Sequence, residues 1–221
     1  MPGDQLTQGQ VNSAFSDRAW FDIVMDPVTG TLGGILAAFG LSGAAGLNAW
    51  LPLLAVGLGD RAGWVNLDAP YDALSSTPGL IVVGLLLVLD FIGDKVPALD
   101  SVLHAIGLAI APASGAVLFA AQTDVTSDLN PAVGALLGAV TAGSLQVGRA
   151  AVRPFVTAST AGIGNPAVSA AEDGTAVVMT LLAFVVPILA FLLVVVALGL
   201  IVYLVLRARR WMRRRSSPRT G

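Results

Sequence analysis

"VVMTLLAFVVPILAFLLVVVALGLIVYLVL", residues 177–206, runs for thirty positions without a charged side chain. A helix needs about 20 predominantly apolar residues to cross the hydrocarbon core of a bilayer. This run exceeds that length, so its natural solvent is lipid. Extended back to residue 174, it reads as one membrane helix, with Pro187 predicting a kink. Composition agrees: 55% of the 221 residues are hydrophobic and only 12% are charged, with a mean hydropathy of +0.80. Soluble domains carry about 25% charged residues. The chain contains no cysteine, which excludes disulfides, thiolate metal sites and thiol nucleophiles.

Working back from that run, further apolar stretches occupy residues 31–58, 79–89, 101–123, 129–148 and 154–171. The chain is therefore expected to be all-α, a polytopic helical membrane protein with about six membrane segments, some broken or re-entrant. Residues 1–28 form a polar N-terminal segment, 29–206 the transmembrane helical domain and 207–221 an Arg-rich tail. Residues 1–28 lack a basic stretch followed by an apolar one, so no cleavable signal is expected. "AWFDIVM" (19–25) has Trp20 and Phe21 to anchor an interfacial helix; a partly disordered segment fits equally.

Charge is distributed asymmetrically. Arg207, Arg209, Arg210, Arg213, Arg214, Arg215 and Arg219 crowd the last fifteen positions. By the positive-inside rule this tail is cytoplasmic. With six crossings, Lys95, Arg149, Arg153 and Arg18 also fall inside, and only Arg61 outside. Asp60, Asp68, Asp72, Asp124, Asp128, Glu172 and Asp173 fall in outer connections. Both termini of this multi-pass cell-membrane protein are then cytoplasmic.

The first segment is rich in small residues: "GGILAAFGLSGAAGLNAW" (33–50) holds Gly33, Gly34, Gly40, Gly43 and Gly46. Small residues let helices approach closely in lipid, where close packing drives association. A second reading breaks the helix near Gly46–Asn48, with Pro52 one turn on. Broken membrane helices expose backbone groups that bind solutes.

Polar residues concentrate in "LVLDFIGDKVPALDSVLH" (87–104). Pro97 should end the preceding helix near Lys95. Asp100 is placed to cap the next helix, with His104 one turn on. A tight cytoplasmic hairpin explains Asp100 and Lys95. It does not explain Asp90, which lies within the apolar slab, where a carboxylate is costly and faces a polar interior. Asp90, Asp94, Lys95, Asp100 and His104 thus form a candidate cluster for carrying protons or ligating a cation. Arg149 and Arg153, four apart, can grip a phosphate or carboxylate or anchor to headgroups. Pro154 can open the next helix. Ser169 and Glu172 have capping-box spacing, and Asn165–Pro166 is another helix start.

"GLSGAAGLNAWLPLLAVGL" (40–58), "DFIGDKVPALDSVLHAIG" (90–107), the Arg149/Arg153 segment and "NPAVSAAED" (165–173) together resemble the domain of unknown function 4126 family of small bacterial membrane proteins. The resemblance covers about residues 30–205 and implies the architecture, not an activity. The family pattern often has Glu at the position of Asp90, His at that of Gln146 and Lys at that of Arg149. "DFIGDK" is similar to the acid–x–Gly–Asp–Lys motif of a family of membrane cation exchangers, with the acid one residue further away. "GRAAVRPFVTASTAG" (148–162) is similar to an arginine-containing segment of DedA-type lipid-carrier translocases, with a different arginine spacing.

The expected function is a small-solute or cation transporter or channel-like protein, with a polar cluster near the cytoplasmic side that includes Asn48. One alternative is a binder or translocase of anionic lipid headgroups, of the polyprenyl phosphate type, using Arg149 and Arg153. Another is a non-transporting membrane scaffold. An enzyme is not expected: "GLSG" (40–43) would need a Ser42–His104 dyad, and a short motif without context is weak. No phosphate-binding loop or multi-histidine site occurs, and no cofactor is expected. The implied partners are the lipid bilayer and anionic lipids at the Arg-rich tail, with nucleic acid excluded and a homo-oligomer admissible.

Overall fold

A computed structural model of the protein describes residues 30–93, 97–122 and 130–215, apart from the side chains of 31, 97–104, 155, 208, 209 and 211–215. Among the described residues there are seven α-helices and no strand: α1 Thr31–Leu47, α2 Trp50–Arg61, α3 Thr77–Gly93, α4 Pro97–Ala120, α5 Pro131–Thr160, α6 Asn165–Val185 and α7 Pro187–Arg215. A short 3₁₀ turn, Tyr71–Leu74, precedes α3.

The small-residue helix α1 is the axis of the bundle. It packs against α4, α5, α6 and α7 to a similar extent. Ala38, Leu41, Ser42, Ala44 and Ala45 are all buried, and a helix apolar all round belongs in a core. Its glycines are the points of closest approach. A Cβ on Gly40 would lie 2.6 Å from the Ala190 Cβ and 3.1 Å from that of Ala183. One on Gly46 would lie 2.6 Å from the Ala142 carbonyl oxygen. The α4–α5 pair is as tight: Gly138 and Gly115 face each other backbone to backbone. Phe39 adds edge-on ring contacts to Phe119 at 5.0 Å and Phe191 at 5.5 Å, a geometry the aromatic quadrupole favours.

These contacts fix the chain directions. Gly40 meets Ala183 and Ala190, while Gly43 meets Met179 and Val194. Moving along α1 therefore moves backward along α6 and forward along α7, so α6 and α7 are antiparallel. The predicted single kinked helix over 174–206 is instead two helices. Val186 (φ −141°, ψ 73°) leaves helical geometry, and Pro187, lacking an N–H, begins α7. The separate segment over 154–171 is also corrected: α5 runs through Pro154 to Thr160, a turn follows, and α6 starts at Asn165. Ala161 (φ 52°) and Gly162 (φ 85°) take left-handed geometry in that turn, the usual way a helix ends.

The first segment also differs from a straight crossing. A Cβ on Gly59 of α2 would lie 3.7 Å from the Phe184 ring, at the same end of the bundle where Gly40 meets Ala183. Helices α1 and α2 therefore double back on each other, with the reversal at Asn48. They form a helical hairpin, and α3, α4, α5, α6 and α7 then run alternately from end to end.

Three helices, Pro131–Thr160, Asn165–Val185 and Pro187–Arg207, are long and apolar enough to cross a membrane. Leu32–Leu47, Thr77–Gly93 and Ala105–Ala120 are shorter apolar helices. The outer surface is aliphatic: Ile81, Leu85, Leu89, Leu181, Val196 and Leu200 are exposed. An outer surface this apolar is compatible with a membrane.

Candidate functional site

The backbone break at Asn48 organises the site. Asn48 is extended (φ −143°, ψ 114°) and 1% exposed. A broken helix inside a bundle leaves carbonyls and N–H groups without partners. Here they are met locally. The Asn48 N–H donates to the Ala44 carbonyl, and Asn48 Oδ1 accepts from the Trp50 and Leu51 N–H groups at 3.1 Å each. The Leu47 carbonyl accepts from Arg149 Nη1.

The remaining group of Asn48, its Nδ2, donates to Asp173 Oδ1 at 2.9 Å and Asp90 Oδ2 at 3.2 Å. Both carboxylates lie within helices. Asp173 is the ninth residue of α6 and is buried; Asp90 is three residues before the end of α3. Next to them, Glu172 Oε2 accepts from Arg149 Nε and from Arg153 Nη2, each at 2.7 Å. The side chains of Arg149, Arg153 and Glu172 are only 10%, 7% and 14% exposed. Charges this well enclosed persist only when paired and hydrogen-bonded.

A cavity of about 50 Å³ opens beside the break, walled by Asp90, Arg149, Gln146, Trp50, Ile106 and small residues including Gly107. It has room for a few waters or one small solute group. Chemically, the region offers carboxylate oxygens, guanidinium hydrogens and a primary amide, at the tip of a half-helix.

The structure brings together Asn48, Asp90, Arg149 and Arg153 of the residues singled out from sequence. Asp94 and Lys95 lie outside the described residues. Asp100 and His104 are in the first two turns of α4, with side chains outside the described residues. Because α4 begins at Pro97, Asp100 is within the helix rather than its N-cap. Ser42 is buried and donates to the Gly115 carbonyl at 3.1 Å, about 16 Å of helical rise from His104, so the Ser42–His104 pair is not assembled.

Glu172 and Asp173 are the residues that sequence reasoning misplaced. The expectation of an outer connection, and of a capping role for Ser169 and Glu172, fails because α6 starts earlier, at Asn165. Their signal was present: two adjacent acids in an otherwise uncharged stretch from 154 to 206. Ionisable residues within a membrane helix face a polar interior. Among the described residues, no group of three or more His, Asp or Glu side chains could hold a metal ion.

No curated protein and no solved structure matches the chain. A family model described as "Domain of unknown function (DUF4126)" matches residues 35–207. That span is most of the chain and contains every described residue of the site, and the protein belongs to this family.

Proposed function

We propose that the protein is a small membrane transporter whose solute site is the tip of the re-entrant α1–α2 hairpin. The observation that carries this reading is the Asn48 amide, which bridges Asp90 of α3 and Asp173 of α6 at the helix break. Discontinuous helices meeting charged groups midway through a bundle are how transporters hold polar cargo. A scaffold has no use for a costly, largely enclosed cluster of three acids and two arginines beside a cavity.

The alternative of an anionic headgroup gripped by Arg149 and Arg153 is less favoured. Both guanidinium groups already grip one oxygen of Glu172. A phosphate would have to displace that carboxylate.

In the membrane, the basic tail and Lys95 define the cytoplasmic face. On this reading, with five crossings and a hairpin, the start of α1 belongs to the outer face; six full crossings would instead keep the N-terminal end cytoplasmic. The juxtamembrane arginines suit anionic lipid.

The test is flux in proteoliposomes containing the full chain, with tracer cations and small polar solutes. Asp90→Asn and Asp173→Asn should each abolish the flux that the parent supports. Parent-level flux in both variants would remove the site from the transport path.

A further inference from the structure

Glycine contacts divide the bundle into two parts. Between α1, α4, α5 and α7 the backbones interlock. A Cβ on Gly40, Gly46 or Gly115 would lie 2.6, 2.6 and 2.5 Å from an atom of the neighbouring helix. Such close fits hold membrane helices against one another. α3 is not held against these helices in this way. Of its 17 residues only Val83 and Gly93 are buried, and a Cβ on Gly84 would meet nothing within 4 Å. It packs mainly on α2 and only slightly on α4.

α2, residues 62–76 and α3 are instead tied to each other. A Cβ on Gly57 would lie 2.6 Å from the Leu74 carbonyl oxygen, and Gly79 backs onto the Ala73 carbonyl. Arg61 donates from Nε to the Ser75 carbonyl and from Nη2 to Thr77 Oγ1, at 2.6 Å each. The Leu67 N–H donates to Asp60 Oδ1. Residues 50–93 thus make one arm, and the other five helices make a body. The arm meets the body through aliphatic side chains: Leu53, Val56 and Leu67 share a buried cluster with Leu118 and Ala183. Where Gly59 faces Phe184, a Cβ would find ordinary contact at 3.7 Å.

One end of this seam is pinned. Asn48 joins α1 to α2, its Oδ1 accepts from Trp50 and Leu51, and its Nδ2 reaches Asp90 of the arm and Asp173 of the body. The cavity lies at the same end, between Trp50 and Asp90 of the arm and Ile106, Ile110 and Gln146 of the body. The aliphatic contacts further along are non-directional. Hinges are a few element-terminal residues that absorb backbone rotation, and Asn48 has that place between α1 and α2.

We propose that the arm rocks as a rigid unit about Asn48 and is the gate between the cavity and the far end of the bundle. Gly59 is about 16 Å of helical rise from Asn48, so a tilt of about fifteen degrees parts the seam there by about 4 Å. The cavity, beside the pivot, keeps its shape. In a bilayer the exposed face of the arm, with Ile81, Leu85 and Leu89, exchanges one lipid contact for another as it tilts. The inference names the moving part of the proposed transporter and rests on that reading only for flux, since the motion is measured separately.

The full chain, which has no cysteine of its own, is spin-labelled at cysteine pairs and placed in lipid nanodiscs, and distances are read by double electron–electron resonance. All the labelled positions are exposed aliphatic residues. Ile81→Cys with Leu136→Cys spans arm and body; Leu58→Cys with Leu89→Cys lies within the arm; Leu136→Cys with Leu200→Cys lies within the body. The first pair should give a broad or two-peaked distribution, with populations about 4 Å or more apart, the displacement set by that tilt and helical rise. The other two should stay narrow. Equally narrow distributions in all three pairs overturn the inference, as does a pair within the arm as broad as the pair across the seam. In proteoliposomes, Gly59→Cys and Phe184→Cys joined by a short bifunctional methanethiosulfonate should bring flux to background, and reduction should restore it. If that pair fails to fold, the spin-labelled pairs decide alone. Parent-level flux through the cross-linked protein would keep the transporter and overturn the gate. Rocking in a protein that supports no flux would keep the arm and overturn the transporter.

Discussion

Asn48 and Asp173 are 125 residues apart in the chain and meet through a 2.9 Å side-chain hydrogen bond inside the bundle. With the bond to Asp90, this contact ties the hairpin tip to α3 and α6. All the hydrogen-bonding capacity of the Asn48 side chain is used: two N–H to carboxylates, one oxygen to two backbone N–H groups.

Asn48→Ala should therefore lower stability by about 2–4 kcal/mol, since it strands buried acceptors and donors together. Asn48→Asp should be at least as damaging, because it places a third carboxylate against two others. Adding Asp173→Asn to Asn48→Asp swaps donor and acceptor and should recover part of the loss. Thermal melts of the single and double variants in one detergent check this; no recovery would mean that the pair is not coupled.

Glu172 holds both arginines, so Glu172→Gln leaves two guanidinium groups without their shared anion. The expected loss is about 3 kcal/mol, typical of breaking an enclosed ion pair from one side. Combining it with Arg153→Met should cost less than the sum of the two single changes, because the sites share partners. An additive double variant would argue against the triad.

Glycine contacts give a graded series. Gly138→Ala would drive a Cβ into the Gly115 carbonyl oxygen, and backbone cannot yield as a flexible side chain can. About 2 kcal/mol or more of destabilisation is expected from such overpacking. Gly199→Ala meets nothing within 4 Å and should be neutral or stabilising by up to about 1 kcal/mol, from helix propensity. Equal melting behaviour of the two would contradict the α4–α5 packing.

The absence of cysteine gives a clean background for labelling. Trp64, after α2, and Ile163, between α5 and α6, are 78% and 85% exposed at opposite ends of the bundle. Trp64→Cys should react with a membrane-impermeant maleimide from outside intact cells. Ile163→Cys should react only after permeabilisation. Labelling of both from the same side would contradict the alternating run of helices.

Asp60 stands one residue before the C-terminal end of α2. The Ser75 hydroxyl and the Leu67 N–H beside it hold its carboxyl below the usual carboxylate range. The stabilisation is present above the unfolded carboxylate value and is lost as pH falls through the depressed folded value. Hydrogen exchange at the Leu67 amide, which donates to Asp60 Oδ1 at 2.9 Å, should quicken relative to the core over that acid range. In Asp60→Asn the acid-dependent step should disappear.

The helical content, with helices long and apolar enough to cross a membrane, was legible from uncharged length alone. So was the tendency of residues 46–48 to break, because glycines and an asparagine ahead of Pro52 undermine a helix. Asp90 was legible as an acid too deep for a loop. What hydropathy could not show was direction. Residues 177–206 are equally apolar whether they form one kinked helix or two antiparallel ones, and only the contacts of Gly40 and Gly43 decide. The same blindness displaced Glu172 and Asp173. Once the last helix was extended back to 174, its two acids had to sit outside.

The hairpin tip has a bearing on biosynthesis. Asn48 leaves the ribosome long before Asp173 exists to receive its hydrogen bond, and α1 and α2 are each too short to stay embedded unaided. The wedge they form cannot settle when it is made. It must wait near the translocation machinery, or at the bilayer edge, until α6 arrives, so a hairpin made early would find its place late.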